Sequence, residues 1–143
     1  MSDPATPRAA AALRRPAIAR LLVIGFWAAL AFALVMALLP HPPQTPVDRF
    51  GDKFEHMLAF AVLSGLGAAA YPALRLRVLA LGLSALGALI EVLQAIPQLH
   101  RDSDVRDWIA DSLAIAAALI AVKLWQRLFS SPASSASRAE HER

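Results

Sequence analysis

The chain contains no cysteine, which excludes disulfides, thiolate nucleophiles and Cys-ligated zinc or iron–sulfur centres in any redox compartment. Charge is scarce as well. Only 17% of the 143 residues are Asp, Glu, Lys or Arg, against 57% apolar, and the mean hydropathy is +0.50. An ordinary soluble domain carries about 25% charged residues, so this composition argues against a soluble globular enzyme. The basic excess, +3 net with a pI of 10.2, suits nucleic acid only when the bases gather on one solvated face. Here they sit at the ends of apolar runs, and no nucleic-acid partner is expected.

The longest uncharged run, Leu21 to Leu39, covers roughly the 30 Å of hydrocarbon in a bilayer at about 1.5 Å per residue. It ends in Pro40-His41-Pro42-Pro43 rather than a small-residue cleavage site, which favours a membrane span over a cleaved signal peptide. Three further spans are predicted at about 54–71, 78–96 and 107–126, admitting some polar residues. Pro40 to Pro46, Tyr71-Pro72 and Pro97 through Ser103 separate them, because proline disfavours helix at and just before its own position. The expected fold is an all-α integral membrane protein, a four-transmembrane-helix bundle occupying residues 18–128. Residues 1–17 and 129–143, rich in Ala, Pro, Ser and charge, read as mobile cytoplasmic tails.

Four spans place both termini on one side, and the positive-inside rule chooses it. Arg8, Arg14, Arg15, Arg20, Arg75, Arg77, Lys123, Arg127, Arg138 and Arg143 fall on one side; Arg49, Lys53, Arg101 and Arg106 fall on the other. Most acids, including Asp48, Asp52, Glu55, Glu91, Asp102, Asp104, Asp107 and Asp111, accompany the smaller basic set. Both termini are therefore expected in the cytoplasm, and the high pI is a signal of orientation.

Ionisable groups within a span are costly and turn toward protein or water, so their helical positions are informative. Lys53, His56, Phe60, Ser64 and Gly67 recur at three- and four-residue steps in the second span; Ser84, Gly87, Glu91 and Gln94 do so in the third; Asp104, Asp107, Asp111, Ala114 and Ala118 in the fourth. Each stripe becomes polar toward the outer level, while Gly67, Gly87 and Ala114 allow close helix approach deeper down. The expectation is a shallow outward-facing pocket where His56, Glu91, Gln94, Asp107 and Asp111 exchange hydrogen bonds, with Lys53, Arg101 and Arg106 partly neutralising the acids. Asp52-Lys53-Phe54-Glu55 and Asp104-Val105-Arg106-Asp107 also resemble capping boxes, a structural role that accounts for Asp52, Glu55 and Asp104. Glu91 and Asp111 lie beyond the first turn and need another explanation. His41, His100 and His141 carry no assignment.

Asp52-Lys53-x-x-His56-x-x-x-Phe60, then Glu91-x-x-Gln94 followed after a proline by Arg101, then Asp107 with Asp111, resembles the signature of VanZ-like membrane proteins over about residues 52–118. That family takes its name from an accessory protein of resistance to the glycopeptide antibiotic teicoplanin. The resemblance implies a multi-pass protein of the bacterial cytoplasmic (inner) membrane acting near the cell envelope. Asp111 and Ala114 stand where the family pattern has Asn and Gly, and His100 replaces the Gly before Arg101, so resistance itself is not carried over.

Three functions follow as expectations. In the first, Lys53, Arg101, Arg106 and the amino end of the second helix hold an anionic lipid or envelope precursor, while Glu91, Gln94 and Asp111 orient it. In the second, a membrane enzyme uses His56 with Glu91 or Asp111 as acid and base on a lipid-linked substrate. In the third, the polar stripe only fixes helix register in a structural accessory subunit. No metal-ligand spacing is present, and no cofactor or metal is expected. The sequence does not fix an oligomeric state.

Overall fold

The computed structural model describes residues 7–40, 43, 51–99 and 103–129. They form four helices, α1 (Pro7–Leu38), α2 (Asp52–Ala70), α3 (Leu76–Gln94) and α4 (Val105–Phe129), with a 3-10 turn at Pro97–Leu99 before α4. Three of them, α1 from Pro16, α3 and α4, are long and apolar enough to cross a membrane, and the chain is a multi-pass membrane protein. In α2 the first two turns bring Lys53, Glu55 and His56 into the helix, and these depress its hydropathy below that of the other three.

Helix limits follow local chemistry. α1 starts well before the apolar run and takes in residues 7–17, assigned to a tail on composition; Ala9 to Leu13 and the two arginines after them are strong helix formers, and the helix continues through Pro16. α2 ends where the Tyr71 N–H turns back to the Gly67 carbonyl and Pro72 follows. α3 ends at Gln94, three residues before Pro97. At the start of α2, Gly51 is the N-cap at φ +90° without a side-chain cap, and the N-cap position expected of Asp52 belongs to Gly51, Asp52 being the first helical residue. That positive φ is one a Cβ opposes, which explains glycine at position 51. Residues 130–143, most of the expected C-terminal tail, lie outside the described residues.

α2 packs against α4 and α1, α4 packs also against α3, and α1 touches α3 only lightly. The core runs between them through Phe26, Phe60, Leu63, Leu79, Leu83, Ile90, Ile115 and Leu119. Outside it, Leu21, Ile24, Phe32 and Val35 of α1, Leu81 and Val92 of α3, and Leu113, Ile120 and Leu124 of α4 are exposed. Such a surface would aggregate in water and is matched to hydrocarbon. Two glycines set helix spacing. A Cβ on Gly67 would stand 3.0 Å from a Leu79 methyl and 3.1 Å from the Phe26 ring, and one on Gly87 3.4 Å from Phe60. Both were among the small residues expected to permit close packing.

Candidate functional site

The end of α1, the start of α2, the end of α3 and the start of α4 meet at one end of the bundle, where nearly all its buried polar groups collect. Glu91 is 8% exposed, Gln94 2% and Asp111 1%. The three polar stripes do face one another there.

Glu91 joins α3 to the beginning of α4. Its Oε2 accepts the Asp104 backbone N–H at 3.0 Å and the Ser103 hydroxyl at 3.2 Å, and the same hydroxyl reaches the Glu91 carbonyl at 2.9 Å. Asp104 in turn caps α4, accepting the Arg106 N–H at 2.9 Å. The expected capping box is thus split. Asp104 supplies its first half, while the returning acceptor is Glu91 from another helix rather than Asp107. Gln94 also serves the backbone: its Nε2 donates to the Ala37 carbonyl at 2.9 Å, one of the acceptors left open at the end of α1.

Asp107 is committed to Lys53, which pairs with it and lies 3.9 Å from Asp104. Lys53 remains about half exposed, so the pair contributes no more than about 1 kcal/mol. Deeper in, His56 Nδ1 faces Asp111 Oδ2 at 3.7 Å, the Asp111 side chain being buried and that of His56 10% exposed. This is an ion-pair approach, longer than a hydrogen bond. The second oxygen of Asp111, Oδ1, is buried without a hydrogen-bond partner among the described residues. Gly87 of α3 borders this carboxylate: a Cβ there would lie 3.7 Å from Oδ2, an ordinary van der Waals contact.

The structure therefore joins Lys53 with Asp107 and His56 with Asp111, and places Glu91 and Gln94 as backbone fasteners beside them. Arg101 lies outside the described residues, and Arg106 is exposed at the start of α4. Among the described residues no group of three or more His, Asp or Glu is arranged to hold a metal.

Sequence reasoning did not anticipate the neighbouring Ser84 to Ser112 hydrogen bond of 2.8 Å, nor the Trp108 indole N–H that donates to the Ser84 carbonyl at 3.1 Å. Ser84 was placed on the α3 stripe; its partners on α4 gave no separate signal, being one residue after Asp111 and Asp107. Ser112→Ala is expected to cost about 0.6 kcal/mol, typical of one interhelical hydrogen bond in a membrane protein. A melting curve in detergent checks it.

A cleft of about 300 Å³ opens beside the His56–Asp111 pair, between α1 and α2, with Leu86 and Ile90 of α3 also in its lining. Its walls are apolar except at Glu55 and His56. His56 thus belongs both to the buried pair and to the cleft. Neither the cleft nor a role for Glu55 in it was foreseen, because α1 carries no polar stripe and its part in the site depends on tertiary packing. Comparison of the chain with family models, curated proteins and solved structures finds no match.

Proposed function

We propose that this is a VanZ-like protein of the bacterial cytoplasmic membrane, crossing it four times with both termini inside, whose outward polar end binds the head of an anionic lipid or envelope precursor. The observation that carries the binding reading is Asp111 Oδ1. A buried acceptor with no partner is expensive, by about 1–3 kcal/mol, and a donor brought by a ligand removes that cost. Glu91 and Gln94 are occupied in holding helix ends, so Asp111 Oδ1 is the acceptor of the predicted set left to receive a hydroxyl or ammonium proton. Lys53 and the exposed Arg106 stand nearby at helix amino ends, where an anionic group is favoured. The charge asymmetry of the chain supports the orientation.

Native mass spectrometry of the purified chain in detergent, offered phosphatidylglycerol, tests this. Wild type is expected to retain the lipid, and Asp111→Leu, which removes the acceptor while keeping a side chain branched at Cγ, to lose roughly tenfold in retention, the equivalent of about 1.4 kcal/mol. Equal retention by both would sink the binding reading and leave the polar end as a purely structural device for a membrane subunit.

The His56–Asp111 pair also favours a second reading, an enzyme acting on a lipid-linked substrate. A carboxylate facing Nδ1 orients an imidazole for acid–base work at its other nitrogen. On this reading Asp111 rather than Glu91 is the partner, because Glu91 is bound to the α4 entrance. Conversion of a lipid-linked substrate that disappears in His56→Gln would establish it.

A further inference from the structure

We infer that the cleft between α1 and α2 seats an acyl chain of the same amphiphile whose head meets His56 and Asp111. This inference rests on the proposed binding reading and specifies its ligand as a lipid rather than a free head group.

The cleft is built for a hydrocarbon. Ala29, Ala33 and Ala37 recur at four-residue steps on α1, and Ala59 faces the cleft from α2, so both walls are recessed where larger residues would close them. Phe60 and Leu63 of α2 and Ile90 of α3, all buried, contribute to the lining, and the exposed Phe32, Leu58 and Val62 border it on the lipid-facing surface. Ordered water requires two to four polar partners, and an apolar hollow of this kind does not supply them. The lining spans Ala29 to Ala37 on one helix and Glu55 to Leu63 on the other. At about 1.5 Å per residue it is about 12 Å long, less than half of the hydrocarbon thickness of one bilayer.

Its two ends differ chemically. Glu55 and His56 mark the polar end, level with the end of α1 that Gln94 fastens, and the opposite end lies among Ala29, Leu30 and Leu63 deep in the apolar zone. A molecule with a polar head and a hydrocarbon tail matches that gradient in the correct direction. A helix of a second copy is the competing occupant, and self-association distinguishes it from a lipid.

The test uses the full chain in detergent and two probes, dioleoyl-phosphatidylglycerol and its water-soluble, deacylated head glycerophosphoglycerol. Ala33→Trp plugs the cleft from α1, Ala59→Leu plugs it more gently from α2, and Val35→Trp places the same bulk of indole on an exposed position outside the cleft. We expect roughly tenfold weaker retention of the lipid in Ala33→Trp and a smaller, parallel loss in Ala59→Leu, with Val35→Trp like wild type. Binding of the deacylated head is expected to be unchanged in all three. Lipid retention equal to wild type in both plugged variants, with melting temperatures preserved, overturns the acyl-chain assignment even if Asp111→Leu still loses the head. A loss of self-association in Ala33→Trp with lipid retention intact overturns it in favour of a second copy. If instead the plugged variants lose lipid while Asp111→Leu keeps it, the cleft assignment stands and the head-group reading falls.

Discussion

Glu91→Ala lowers the melting temperature of the detergent-solubilised chain by on the order of 10 °C, the largest loss expected from any single polar residue of the bundle. The carboxylate joins the end of α3 to the start of α4 through the Asp104 N–H and the Ser103 hydroxyl. Its removal leaves an N–H without its acceptor where α4 begins, and leaves space where a side chain was buried. A hydrogen bond to a charged group contributes about 1.5–3 kcal/mol and an orphaned buried partner adds to the loss, so a total near 3 kcal/mol is expected. Glu91→Gln preserves volume and one carbonyl acceptor and is expected to cost only about 1 kcal/mol. The readout is tryptophan fluorescence on heating, with Trp108 near the α4 entrance as reporter. If alanine and wild type melt together, Glu91 is no fastener, and its carboxylate returns to the ligand-binding set.

The same residue shows how far the sequence could be read. That Glu91 and Asp111 must turn inward was legible from cost alone, because an acid several residues inside an apolar helix has nowhere else to go, and both are buried. The helices could be placed to within two residues or so in α2 and α3, since proline and the polar–apolar transitions set their limits. What each acid touches was not legible. Whether Glu91 meets His56 or the Asp104 backbone depends on the rotation of α3 and on the path of the chain between Pro97 and Ser103, neither of which helical spacing specifies. α1 was misjudged in both senses for a related reason. Its amino-terminal extension was assigned to a tail because Pro, Arg and Ala lack apolar periodicity, although an alanine run is helical without it. Its contribution to the site was missed because Ala29, Ala33 and Ala37 matter by being small, and alanine every fourth residue is unremarkable in a membrane helix until a partner is placed against it.

Gly67→Leu is expected to destabilise the bundle by about 3 kcal/mol, whereas Gly65→Leu, two residues earlier on the same helix, is expected to stabilise it by up to about 1 kcal/mol. Helix propensity favours leucine at both positions, so the difference isolates packing. Nothing lies within 4 Å of a Cβ built on Gly65, while one on Gly67 meets Leu79 and Phe26 at once. Side chains of α1 and α3 therefore close on α2 at this point, and a leucine must push both away. Paired melting curves in one detergent check the signs; a Gly67→Leu protein as stable as Gly65→Leu means the helices are not held at the observed spacing. The pair also separates stability from binding. Gly67 lies eleven residues beyond His56, about 16 Å along α2 and outside the cleft lining. A wedge there tilts α1 away from α2 and changes the width of the cleft without touching Asp111. Lipid retention in the folded fraction of Gly67→Leu is accordingly expected to fall more than binding of the deacylated head, because the tail depends on the spacing of α1 and α2 and the head depends on the polar contacts between α2 and α4.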